Sequence, residues 1–195
     1  MFRVPLIVAF VLALAFGLGI GSTLLALKAS SGFGAIRLGA WIAFPDQQRA
    51  DADPYARSHR AYAGRLLYGI GEGLTFQASV DDEGDRLQPR CTYEMSGQTP
   101  IARFFTLFAA NDALEPLSAG PGLPSAFNSW NVLRRPDGSF SVTISRRAQP
   151  GNWLAIRSER PFKLVMTLLD SPTAGSSGVI DLAMPSLKKI GCENA

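Results

Sequence analysis

The 195-residue sequence contains one histidine, two cysteines and 18% charged residues, and each scarcity removes a class of chemistry. One histidine cannot build a multi-histidine metal centre. Any histidine-based triad would have to use His59, which stands among Arg57, Ser58 and Arg60 with no neighbouring carboxylate to orient it; a solvated helix histidine is the plainer reading. The two cysteines, Cys91 and Cys192, form neither a C-x-x-C redox motif nor a cysteine-rich zinc cluster. A G-x-S-x-G elbow and a Walker loop are also missing. Gly69-Ile70-Gly71-Glu72-Gly73 starts like a dinucleotide fingerprint, but it lacks the last glycine and precedes a strand, so it reads as a flexible turn. The expectation is no metal and no cofactor, and no spacing of Asp and Glu singles out carboxylate-only chemistry.

With 47% hydrophobic residues the chain is not disordered, and its length suits one membrane segment plus one domain. The formal charge of +3 shrinks on inspection. Arg3 and Lys28 flank an apolar segment, and the rest of the chain holds 17 basic against 16 acidic residues. That balance argues against a nucleic-acid partner. The charges are nevertheless uneven: 130–163 has seven basic and two acidic residues, 46–94 six basic and nine acidic.

Residues 4–27 form a run of 24 without a charge, longer as a helix than the ~30 Å hydrocarbon core of a bilayer. Its length, and the poor cleavage site around Leu27, Lys28 and Ala29, favour an uncleaved anchor (1–28) over a secretory signal. Arg3 on one side and Lys28 and Arg37 on the other leave orientation open. Within the run Gly17 and Gly21 form a G-x-x-x-G, extended backward by Ala13 and Ala9, which makes homodimerisation through this face an expectation; the plain alternative is that glycine is common in membrane helices. Cys91 and Cys192 are either two unrelated buried thiols or one structural bridge. A bridge would tie a loose tail to the fold and require an oxidising compartment. On that basis the domain (29–195) is expected outside the cytoplasm, on the periplasmic side of the inner membrane in a Gram-negative cell.

Beyond the anchor the pattern is one of strands and turns. Ile36, Leu38, Ala40, Ile42 and Phe44 alternate with Arg37, Gly39 and Trp41, predicting one half-buried strand. Asp53 as N-cap and Pro54 at the first position predict a short helix over 53–67. Residues 74–80 and 90–95 read as a hairpin around the acidic run Asp81-Asp82-Glu83-Gly84-Asp85, which lacks the ligand spacing of a calcium loop and is expected to be solvated. Residues 101–110 read as a strand buried on both faces, and 115–128 as a long loop. Pro136-Asp137-Gly138 predicts a second hairpin, between 130–133 and 140–144. Residues 152–156 and 162–169 add strands. The fold class is mainly β, an antiparallel sandwich of jelly-roll kind with one short helix.

Trp130, Asn131, Arg134, Pro136-Asp137-Gly138-Ser139, Pro150-Gly151-Asn152-Trp153-Leu154 and Arg160-Pro161-Phe162 together resemble the domain of unknown function 1214 family. Asp53-Pro54-Tyr55-Ala56-Arg57, the 81–85 turn and Pro100-Ile101-Ala102-Arg103-Phe104-Phe105-Thr106-Leu107 are similar to that family's helix, hairpin and core strand, so the likeness covers about 41–170. The resemblance implies a β-sandwich of jelly-roll type, frequent in bacterial membrane-associated or exported proteins, with no settled biochemical role. Two departures stand out: a membrane helix replaces the second, upstream domain of larger relatives, and the aromatic-acidic pair that often ends the core strand is Ala110-Asn111.

The one positive site signal is basic. Arg134, Arg135, Arg146, Arg147, Arg157, Arg160 and Lys163 form a candidate patch for an anionic ligand or lipid headgroup, with Trp130 and Trp153 adding aromatic surface. The plain alternative is a solvated strand face with both tryptophans in the core. Two function classes follow. The first is a noncatalytic binding or interaction domain, tethered to the membrane of the bacterial envelope. The second is a carboxylate- and arginine-based hydrolase for a phosphorylated or acidic substrate. Two carboxylates within about 5–10 Å, flanked by arginines, would favour the enzyme; a filled interior would favour the binder.

Overall fold

The uncharged amino-terminal run forms one helix, α1 (Arg3–Ala29), about 40 Å long at 1.5 Å per residue. Its apolar side chains, Leu6, Phe10, Phe16, Leu18 and Leu25 among them, stand exposed. In this computed structural model the described residues are 3–29, 35–45, 49, 51–64, 68, 72–171 and 183–193. After α1 come β1 (Ile36–Leu38), β2 (Trp41–Ala43), α2 (Pro54–Ala63), β3 (Gly73–Ala78), β4 (Cys91–Gly97), β5 (Phe104–Ala110), β6 (Ala126–Asn128), β7 (Phe140–Ser145), β8 (Trp153–Ala155), β9 (Lys163–Leu169) and β10 (Ser186–Cys192).

The strands form a six-stranded sheet, β1-β2-β3-β9-β5-β6, and a four-stranded sheet, β10-β4-β7-β8. They enclose one core. Trp41, Phe76, Leu107 and Met166 enter it from the larger sheet, and Tyr93, Met95, Val142, Ile144 and Leu187 from the smaller. Across the core Phe105 stacks on Phe140 at 5.5 Å, and Tyr93 meets Phe162 edge-on at 6.1 Å. The mainly β, two-sheet architecture expected from the sequence is therefore present, as is α2. Asp53 caps α2 by accepting from the Tyr55 and Ala56 N–H groups, and Gly64 in the left-handed region ends it.

Several local expectations are corrected. The stretch 36–44 is two strands, because Gly39 takes a φ of +58° and turns the chain between Leu38 and Trp41. That turn brings Trp41 and Ala43 into the core and leaves Ile42 and Phe44 half-covered, while Ala40 keeps its expected burial. The pair 74–80 and 90–95 is not a hairpin, since β3 and β4 belong to different sheets. The turn closes with a single bridge, Val80 to Arg86, after which Leu87 enters the core and carries the chain across.

Nor is the acidic turn wholly solvated. Asp81 is 2% exposed, and its Oδ1 accepts from the Glu83 and Asp85 N–H groups. The strand buried on both faces is β9, the neighbour of both β3 and β5; β5 itself buries Phe105, Leu107 and Ala109 and leaves Phe104, Thr106 and Phe108 half-covered.

The 135–138 turn forms as expected, with Gly138 at φ +80° and Arg135 donating its N–H to the Ser139 carbonyl at 2.8 Å. Its first arm is one bridge, Arg134 to Phe140, rather than a strand. The smaller sheet is not fully antiparallel, because β8 runs parallel to β7. Residues 146–152 double back with Gly151 at φ +78°, and buried Asn152 holds the return: its Nδ2 donates to the Leu133 and Ser141 carbonyls and its Oδ1 accepts from the Leu133 N–H.

The tail is a strand rather than a loose end. β10 pairs with β4 from Ser186↔Ser96 to Cys192↔Cys91, and a disulfide joins those last two residues.

Candidate functional site

Strand register sorts the basic residues into two groups. Gly73, Leu169 and Phe104 align across the larger sheet at what we call its lower end, and Ala78, Leu164 and Ala109 align at its upper end. Lys163 opens β9 at the upper end. Pro124, which leads into the top of β6, accepts from the Ala155 N–H, so the end of β8, and the end of β7 beside it, lie there too. Arg146, Arg147, Arg157 and Arg160 follow those two strand ends. At the lower end the Arg134 guanidinium lies over the Phe105 and Phe140 rings, 5.6 and 5.3 Å from their centroids, and donates to the Gly138 carbonyl. Arg135 follows it into the turn. Since β7 alone advances about 17 Å, the sequence-predicted patch is two separate clusters, too far apart for one phosphate or carboxylate.

Most of the upper cluster is already paired. Arg146 meets Glu159 at 2.9 Å, Arg147 meets Glu193 at 2.7 Å and Lys163 meets Asp112 at 3.7 Å. Arg157 and Arg160 have no ion-pair partner among the described residues. In the lower cluster Asp137 is held below its ordinary carboxylate range, first by the Ser139 hydroxyl, then by the Ser139 N–H, and further by the Arg135 charge.

What the sequence missed lies beside Arg134. Trp130, read from the sequence either as aromatic surface beside the arginines or as core, is 87% exposed and packs edge-on against Phe104 at 5.2 Å; Leu133 and Ile101 are 67% and 78% exposed. The signal was in the flanking asparagines. Asn128 Oδ1 accepts from the Trp130 and Asn131 N–H groups and Asn131 Oδ1 accepts from the Asn128 N–H, a tight turn that points Trp130 away from the sheet. Trp153 is half-buried, its Nε1 donating to the Ser145 carbonyl and hydroxyl.

The acidic turn serves the fold. The Lys189 ammonium hydrogen-bonds Asp85 and lies 3.9 Å from Asp81 and 4.0 Å from Glu83. Asp82 Oδ2 accepts from the Leu187 N–H, and the Asp82 N–H donates to the Leu187 carbonyl. The Asp85 hydrogen bond, ahead of the charges of Asp85, Asp81 and Glu83, raises the Lys189 pKa above its ordinary range. Among the described residues no group of three or more His, Cys, Asp or Glu side chains is arranged to hold a metal ion. A shallow, open depression of about 370 Å³ lies between Leu38, Gly39 and Asp82 on one side and Met184, Pro185 and Ser186 on the other. Gly17 and Gly21 leave open space beside α1, with nothing within 4 Å of an added Cβ. The His59 side chain and the turn at Gly69, Ile70 and Gly71 lie outside the described residues.

Comparison with known proteins gives fold and family. The VPA0106 protein from Vibrio parahaemolyticus is similar in structure with a TM-score of 0.55 and 20% identity, over 72% of this chain and 36% of that one. An uncharacterized protein from Burkholderia cenocepacia matches with a TM-score of 0.43 and 16% identity, over 91% of this chain and 51% of that one. The chain thus spans about a third to a half of the length of these proteins. No curated protein matches. The sequence model of a family described as "Protein of unknown function (DUF1214)" matches residues 72–173, from the turn before β3 to just past β9. That match takes in just over half of the sequence, and the chain belongs to the DUF1214 family.

Proposed function

We propose that this protein is a single-pass protein of the bacterial inner membrane whose two-sheet domain lies in the oxidising space outside the cytoplasm and binds a partner there rather than transforming a substrate. The observation that carries the reading is α1, a helix of membrane-spanning length whose apolar surface is exposed. Leaving that much apolar surface in water is costly. The Cys91–Cys192 disulfide supports an oxidising location. The filled core and the division of the arginines between two ends support binding over hydrolysis.

The test is fractionation of the full chain in a Gram-negative host. The expected result is a full-length protein that stays in the membrane pellet through alkaline carbonate, is cut by protease added to spheroplasts, and reacts with maleimide only after reduction. A product shortened near Ala29 and released to the soluble fraction would identify 3–29 as a cleaved signal. Self-association through Gly17 and Gly21 belongs to the same reading and is tested by crosslinking before and after Gly17→Leu.

A further inference from the structure

We propose that the lower end of the larger sheet is a bilayer-docking surface, in which Trp130, Leu133 and Ile101 enter the headgroup–acyl boundary of the membrane that α1 crosses. This inference rests on the anchored reading of α1.

Three observations carry it. First, among the described residues of the domain Trp130, Ile101 and Leu133 are the most exposed large apolar side chains, ahead of Ile190, and the three share one end of it. Asn128 pairs with Thr106 at the bottom of β6, so Trp130 follows downward beside Phe104; Ile101 precedes Phe104 at the bottom of β5; Leu133 leads into Arg134 over Phe105. A lone exposed apolar residue needs no explanation, whereas a cluster of three marks an interaction surface.

Second, the path of the chain brings this end to the membrane. Ile36 pairs with Ala43, which pairs with Phe76, while Leu38 pairs with Trp41, which pairs with Ala78. β1 therefore runs from the lower end toward the upper, so the end of β1 nearer α1 in sequence is its lower end. From Ala29 to Ile36 is seven residue steps, at most about 25 Å of extended chain. β1 and β6 are the two edges of the six-stranded sheet, about 24 Å apart. With the lower end facing the bilayer, the tether holds one edge and Trp130 meets the lipid at the other.

Third, the side chains suit an interface. An indole with an apolar body and a polar N–H partitions to the headgroup level. Charge at this end is balanced: Arg103 pairs with Asp170 at 3.4 Å, and Asp137 sits beside Ser139 and Arg135. Arg134, seated on its two rings, has no carboxylate partner among the described residues and can extend to a lipid phosphate. Docking is therefore mainly apolar, and anionic lipid adds to it modestly.

The experiment reconstitutes the full chain in phosphatidylcholine vesicles, with and without phosphatidylglycerol and with bromine on some acyl chains. Subtracting the emission of a Trp130→Phe variant isolates Trp130, since Trp41 is buried and Trp153 half-buried. The expected result is blue-shifted Trp130 emission, quenched by brominated lipid and protected from aqueous acrylamide. Ile101→Ser with Leu133→Ser should lower the docked-to-undocked ratio about tenfold, with an unchanged melting temperature showing that the fold is intact. Trp130 open to acrylamide and unquenched, in a chain that vesicles retain, overturns docking alone. Protection from acrylamide without quenching by brominated lipid also overturns it, in favour of a second copy or another protein. A chain that vesicles do not retain overturns the anchor and the docking together.

Discussion

The two flanks of the domain handle their exposed material in opposite ways. At the β10 edge a tail of seven residues is held by a ladder to β4, one backbone and one side-chain hydrogen bond between Asp82 and Leu187, the Lys189 ammonium among three carboxylates, and a disulfide. At the lower end Trp130, Leu133 and Ile101 are left uncovered, although the turn that presents Trp130 is well bonded by Asn128 and Asn131. The contrast shows that backbone order and side-chain burial are separable. The lower end is locally fixed without being packed, while the tail edge is fixed in order to close the core over Leu187, Tyr93 and Trp41. Trp41 takes part directly: its Nε1 donates to the Pro185 carbonyl at 2.7 Å, joining the larger sheet to the start of β10.

The sharpest way to break the comparison is to open the sealed flank. Cys192→Ser removes a bridge spanning 101 residues, which the chain-entropy account values at up to about 4.7 kcal/mol. The expected outcome in denaturant unfolding is a loss of about 2–5 kcal/mol, with β10 amides exchanging faster than those of β5 and β9. An unchanged midpoint would mean that the ladder and the Asp82 bonds hold the tail alone.

Next in size is Asn152→Ala, which acts on the lower flank. It leaves the Leu133 N–H, the Leu133 carbonyl and the Ser141 carbonyl without their side-chain partner in a partly buried setting. The expected cost is about 2–4 kcal/mol, with Trp130 emission more mobile in anisotropy while the Lys189 region is unaffected.

How much of this was legible in the sequence depends on the range of the cause. Local chemistry was legible: Asp53 and Pro54 at the start of α2, the Pro136-Asp137-Gly138 turn, the long uncharged run of α1 and the two-sheet, mainly β class. Choices made by distant partners were not. Whether residues 90–95 return beside β3 depends on Leu87 finding the core and on Leu187 bonding Asp82 across 105 positions, and no period-two pattern encodes that. The alternation of 36–44 holds through β1 and inverts in β2, because Gly39 turns the chain with one positive φ. The basic stretch looked continuous because sequence adjacency hides the length of β7. Residue type alone leaves Trp130 between surface and core, and the turn bonded by Asn128 and Asn131 decides for the surface.

Alkaline pH tests the sealed flank by titration. Lys189 is raised by its hydrogen bond to Asp85 and then by the neighbouring carboxylates, and Tyr93 is raised mainly by burial. Both hold their protons more tightly in the folded chain than in the unfolded one. Their contribution is complete below their ordinary values near 10 and fades as pH climbs through the higher folded values. The melting temperature should therefore be flat from about pH 7 to 9 and fall above about 10. In Lys189→Met the neutral plateau should be lower and the alkaline fall shallower, because one of the two titrating groups is gone. An identical alkaline slope in that variant would assign the fall to Tyr93 alone.

The smallest stability effect falls on the residues with the largest exposure. Trp130→Ser removes a side chain that touches Phe104 on one edge and otherwise faces outward, and Leu133→Ser removes one that is two-thirds exposed. In the detergent-solubilised protein each change should lie within about 0.5 kcal/mol of wild type, the range for surface positions, because little burial is lost and no hydrogen bond of either side chain is broken. The two substitutions combined should weaken membrane docking in vesicles about tenfold. That separation is the decisive feature, since a residue kept for packing would cost stability in both settings. If Trp130→Ser destabilised the detergent form by about 3 kcal/mol, the value typical of a buried aromatic, the lower end would be a misjudged piece of core and the two flanks would not differ in kind.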